Sequence, residues 1–164
     1  MDIKSSSVSY FRNFIFGVED SLVSTVGLLS GIAIANVPRE TILITGIVLI
    51  FVEAFSMAAG SFLSEYSARG YVRKTETPRK IEFISAGVML FSYFISGFIP
   101  LAPYTFLPAA SALPFSIVFS IAALFVLGVV GAKISGINVF RNGLRMTAIG
   151  GFAIVVGIAA GSLL

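Results

Sequence analysis

FIFGVEDSLVSTVGLLSGIAIA, residues 14–35, decides what kind of molecule this is. The stretch is long enough to cross a bilayer as a helix, which takes about 20 apolar residues. Yet it holds Glu19 and Asp20 side by side. The next apolar stretch, TILITGIVLIFVEAFSMAAGSFLSE (41–65), repeats the anomaly with Glu53. A charged side chain at bilayer depth costs about 2.5–3.5 kcal/mol on insertion scales, so it faces a protein interior or an aqueous pathway. Helix packing alone does not call for such groups. The three acids therefore predict a site that handles cations or protons.

The rest of the chain supports the membrane reading. Of 164 residues, 57% are hydrophobic and only 12% charged, about half the charge of an ordinary globular domain. A soluble domain of this size could not hide that much apolar surface. Five spans are expected, at about 13–35, 41–64, 82–102, 115–135 and 145–164. They make one all-α transmembrane domain over 1–164. The net charge of +3 reflects topology rather than nucleic-acid binding. Basic residues fall on alternate connections, ten on one side and Arg39 alone on the other. The positive-inside rule then predicts a cytoplasmic N-terminus and an outward C-terminus, as an odd span number requires. The first thirteen residues do not read as a signal peptide, because the apolar stretch after them is too long and contains acids. The short loops and the lack of an organelle signal lead us to expect a prokaryotic plasma membrane.

Several segments read as scaffold. Asp20, Ser24, Gly27 and Gly31 share one face of the first span, and Gly27 and Gly31 form a GxxxG step that lets helices approach closely. That step fits ordinary helix packing and self-association through the first span equally well. Glu53 and Met57 are four apart and share a face of the second span. By helical rise Asp20 and Met57 each lie about 12 Å in from their span ends, with Glu53 one turn further out. The basic connector YSARGYVRKTETPRK (66–80) suits orientation and contact with anionic lipid. In the third span Gly97, Pro100 and Pro103 predict a helix stop and hairpin. Pro108 and Pro114 follow in the outer connection. The fifth span carries a second GxxxG step at Gly157 and Gly161. Of the five tyrosines, Tyr93 alone is far from a span end.

The chemistry open to these residues is narrow. The chain has no cysteine and no histidine, which removes thiolate and imidazole ligands, disulfides and the usual nucleophile–base pairs. No cofactor fingerprint is present, so no cofactor and no enzyme activity is expected. What remains for a metal is Asp20, Glu53, Glu19 and the thioether of Met57. Oxygen ligands suit Mg²⁺, Mn²⁺ or Fe²⁺, and a thioether tilts the choice toward the softer transition metals. Desolvation disfavours an ionised carboxylate, so one set of acids could exchange a metal for protons.

At this point three motifs resemble a known family. NFIFGVEDSLVSTVGLLSGIA (13–33) resembles the opening helix of the vacuolar iron transporter (VIT) family, EAFSMAAGSFLSE (53–65) its second helix, and SYFISGFIPLAPY (92–104) its third helix and the turn after it. The resemblance implies a homodimer with a pathway between the two copies of the first span. It also implies Fe²⁺ or Mn²⁺ moving out of the cytoplasm against protons. Asp20 falls on the family's first-span aspartate and Met57 on its second-span methionine, whereas Glu53 lies one turn before Met57, later than the second-span acid of plant-type members. Plant and fungal members carry a long acidic insertion between spans two and three. Only a short basic connector stands there in this chain, and Ser61 stands where bacterial relatives often have a glutamate, so the resemblance implies a minimal member without the inner metal-collecting site. Two other readings stay open on the residues alone. One is a membrane-embedded assembly or interaction subunit using polar side chains as glue. The other is a proton or monovalent-cation channel.

Overall fold

A computed structural model describes residues 3–74 and 79–163 of the chain. It is all-α: α1 (Ile3–Ile34), α2 (Arg39–Arg73), α3 (Lys80–Phe106), α4 (Ala109–Ser135) and α5 (Val139–Gly161). All five are long and apolar enough to cross a membrane. The connector expected between the second and third spans falls partly on residues 75–78, outside the described residues.

The helices overrun the expected spans. α2 has 35 residues, about 52 Å at 1.5 Å per residue, against a hydrocarbon core of about 30 Å. Its last turns carry Glu65 and Arg69 beyond the apolar stretch. Lys74 ends it in the left-handed conformation (φ 58°), donating its N–H to the Gly70 carbonyl. Gly136 ends α4 in the same way at φ 68°, the conformation that glycine adopts without Cβ strain.

The expected stop at Gly97–Pro103 is not a stop. Pro100 and Pro103 both lie inside α3, which runs on to Phe106 before the chain turns. A proline removes a backbone N–H and so leaves a carbonyl one turn earlier unbonded. In a membrane helix, neighbouring helices and hydroxyl side chains take up such freed groups. The carbonyls left without a proline N–H are those of Ser96 and Ile99, four residues before each proline. Ser116 of α4 donates instead to the Pro100 carbonyl at 2.7 Å and ties this stretch of α3 to α4. Pro108 instead occupies the position just before α4, and Pro114 lies within its first turns.

α1 is the central helix. It packs against all four others, and α2 on α3, α3 on α4 and α4 on α5 complete a ring around it in chain order. Among the described residues α5 and α2 share no packing seam, so the ring is open between them. The far half of the bundle is closed by a dry core of Leu29, Ile42, Ile50, Leu101, Tyr104 and Ala112. Near it Arg39 donates to the Thr105 carbonyl at 2.8 Å. At the other end Arg12 and Arg69 meet through Glu65, and Phe11 and Ile15 of α1 lie against Gly131 near the end of α4. The basic residues expected on one side of the membrane thus gather at one end of the bundle.

The glycine steps meet each other inside this one chain. A Cβ on Gly31 would stand 2.7 Å from the Gly157 carbonyl oxygen, and one on Gly27 would stand 3.4 Å from that of Ala153. A Cβ on Gly157 or Gly161 would collide with the carbonyls of Gly27 and Gly31. The GxxxG of α1 is therefore spent on the GxxxG of α5. The expectation that Gly27 marks a surface for self-association is corrected: that face of α1 is covered by its own chain.

Candidate functional site

The acids lie where α1 faces the opening of the ring. Glu19 and Asp20 are both half-buried, as is Glu53 on α2. Consecutive residues on an α-helix point about 100° apart, so Glu19 and Asp20 serve different neighbours. Glu19 lines a cleft of about 890 Å³ between α1 and α2, together with Met57, Arg12, Asn13, Ser61 and Ser64. Asp20 lies on a smaller cavity of about 160 Å³, between Phe16, Val23 and Ile149 of α5, with Glu19 on its rim. Glu19 is thus common to both cavities.

Depth and rotation can now be separated. The register places Glu19, rather than Asp20, on the cleft wall with Met57. Asp20 instead lies toward Ile149 of α5, and Glu53 lines neither cavity. The ion pairs among the described residues engage Glu65 and Glu82, and none engages these three acids. Among the described residues no three acids gather into a single ligand shell.

Two features went unread in the sequence. The first is Tyr93. Its ring is fully buried, its hydroxyl lies 2.7 Å from the Ser24 hydroxyl one turn from Asp20, and it feels the charges of both Asp20 and Glu53. The Ser21 hydroxyl holds the same residue by donating to its carbonyl at 2.7 Å. Its isolation from the span ends was the available signal. The second is a polar network at the basic end. Glu65 accepts from Ser9 (2.9 Å), Arg12 (3.1 Å) and Arg69 (2.6 Å). Arg69 also approaches Glu82 at 3.9 Å, which accepts from the Arg79 N–H at 2.7 Å and caps α3. The Glu65/Arg69 spacing of four and the acid three residues after Arg79 were its traces in the sequence.

Four apolar helices packed around an acid-bearing central helix define an integral membrane protein with a polar site inside the bundle. Comparison with known proteins makes this specific. The VIT family model matches residues 11–83 and 73–162, and the chain belongs to that family. Vacuolar iron transporter 2 of Oryza sativa subsp. japonica is 24% identical, covering 87% of this chain and 82% of the relative. Vacuolar iron transporter homolog 1 of Arabidopsis thaliana is 26% identical over 93% and 82%. The homolog 1 of Oryza sativa subsp. japonica is 28% identical over 90% and 70%. The two pieces of the family match meet at the α2–α3 connector. The alignment with the rice transporter 2 runs to 202 positions, more than this chain has residues, whereas that with the Arabidopsis homolog runs to 165. The alignment with the rice transporter therefore contains many more gaps than that with the Arabidopsis homolog.

Proposed function

We propose that this chain, acting as one transmembrane domain, exports Fe²⁺ or Mn²⁺ from the cytoplasm in exchange for protons. It works as a transporter and not as an enzyme. The observation that carries this reading is the placing of Glu19 of α1 and Met57 of α2 on one cleft, with no cationic side chain paired to Glu19, Asp20 or Glu53 among the described residues. Family membership and the names of the relatives support it. Glu19, Asp20, Glu53 and Met57 are the metal-handling residues we assign. Met57 and Glu19 offer a thioether and a carboxylate on the same cleft, a donor set that suits a softer divalent ion. When the ion leaves, protons replace it on the carboxylates.

The active form we assign is a homodimer. The Phe16–Val23 face of α1 borders the open side of the ring, so a second copy laid there would double the acids along one path. This differs from association through Gly27, a face already occupied by α5. The gathering of basic side chains at one end supports a cytoplasmic N-terminus. The membrane we assign is a prokaryotic plasma membrane, on the brevity of the connectors.

Reconstituted into liposomes, the protein should move Mn²⁺ or Fe²⁺ down an opposing proton gradient. Asp20→Asn and Glu53→Gln should each lower that flux by at least about tenfold, the effect of about 1.4 kcal/mol on a binding or barrier step, while the protein stays folded. Undiminished flux in both variants would refute the site. Loss of self-association with no metal flux in the parent protein would favour an assembly role instead.

A further inference from the structure

We propose that Arg12 and Glu65 form a latch that closes the α1–α2 cleft at the basic end of the bundle and so governs access to Glu19 and Met57. The proposal deepens the transport reading and rests on it for what passes through the cleft; the geometry of the latch stands apart from it.

α1 and α2 each pack extensively on α3 and only thinly on each other, and the 890 Å³ cleft occupies the space between them. What crosses that cleft is a short ladder of polar bonds. Arg12 donates to Glu65 at 3.1 Å, Ser9 donates to the same oxygen at 2.9 Å, and one turn deeper Ser61 donates to the side-chain amide oxygen of Asn13 at 2.9 Å. Met57 lies one turn beyond Ser61 on α2, and Glu19 under two turns beyond Asn13 on α1. The path from the basic end to the acids therefore runs past this ladder.

The two halves of the latch are built differently. Glu65 is fixed: its side chain is 9% exposed and Arg69 clamps it at 2.6 Å. Arg69 is itself only 14% exposed and leans toward Glu82, which is 2% exposed. Glu65 thus has a buried counter-ion of its own and does not need Arg12 to balance it. Arg12 is the free half, with its side chain 65% exposed. An exposed ion pair is weak, so Arg12 can leave Glu65 without unfolding the network behind it. Bound, it bridges the helices and sets a guanidinium in the entrance to a cation site. Swung outward, it removes both the bridge and the opposing charge. The Ser61 rung involves neutral groups and can reform at little cost.

The absence of cysteine gives a direct test in the full-length reconstituted protein. Met57 lines the cleft deeper than the Ser61 rung and is half-buried, so Met57→Cys places a single thiol behind the latch. Its rate of modification by a small uncharged maleimide and by a cationic methanethiosulfonate is then measured with and without Arg12→Gln. The expected result is roughly a fivefold acceleration with the uncharged reagent, in keeping with the loss of a partly exposed charge-assisted bond, and a larger one with the cationic reagent. Glu65→Gln should accelerate the uncharged reagent as well. Should Glu65→Gln not fold, Arg12→Gln decides alone, because its side chain lies largely outside the packed structure. Unchanged rates with both reagents in Arg12→Gln would overturn the latch. The outcome does not depend on metal flux: an inert parent protein in the liposome assay would remove the transport reading and leave the labelling result to judge the latch.

Discussion

The two flanks of α1 are built on opposite principles. Toward α5 its backbone lies against another backbone, with Gly31 facing Gly157 and Gly27 facing Ala153. Toward α2 the same helix leaves a cleft of about 890 Å³ crossed by side-chain hydrogen bonds. Close backbone packing in a membrane gains its strength from many dispersion contacts at short range, and it has no intermediate state. A seam of long polar side chains can open one bond at a time. A central helix clamped on one flank and lightly bridged on the other has a preferred direction in which its neighbours can move. Glu19 and Met57 lie on the lightly bridged side, whereas Asp20 is turned toward Ile149 of α5.

That contrast can be broken most forcefully on the α5 flank. Gly31→Leu must displace backbone rather than a side chain, and should lower stability by about 3 kcal/mol, the upper part of the range for overpacking. Thermal unfolding in mild detergent would register it, and an unchanged midpoint would mean the flank is softer than described. Removing one hydroxyl at the junction of the two regimes should cost less. Tyr93→Phe loses the bond to Ser24, worth about 0.5–1.5 kcal/mol. Because that hydroxyl stands beside Asp20, metal affinity in a binding titration should shift along with stability. The smallest effect belongs to the open flank. Gly60→Ala adds a methyl group where nothing lies within 4 Å, and both stability and metal flux should stay within the roughly 0.5 kcal/mol typical of sites that touch nothing.

The comparison also explains why some of the site could be read from residues and some could not. The apolar stretches, the acids that interrupt them and the shared face of Glu53 and Met57 follow from periodicity, which the sequence carries in full. The proline-rich end of the third span did not, because whether a proline stops a helix depends on the neighbours packed against it. Ser116, sixteen residues on, ties that stretch to α4 through the Pro100 carbonyl. The glycine steps of the first and fifth spans were visible as motifs, but a motif for close approach does not say which helix approaches. The match turned out to be within the chain.

By itself the sequence determined that five apolar helices cross a membrane and that acids lie inside them, because hydropathy and the 3.6-residue turn are local properties. It also set the depth of each acid, since rise per residue is constant. Only the tertiary structure decided that Glu19 shares the cleft with Met57 while Asp20 lies on a separate cavity beside Ile149 of α5. The rotation of a helix about its own axis is set by the sum of its contacts with four neighbours, and no single stretch of residues contains that sum.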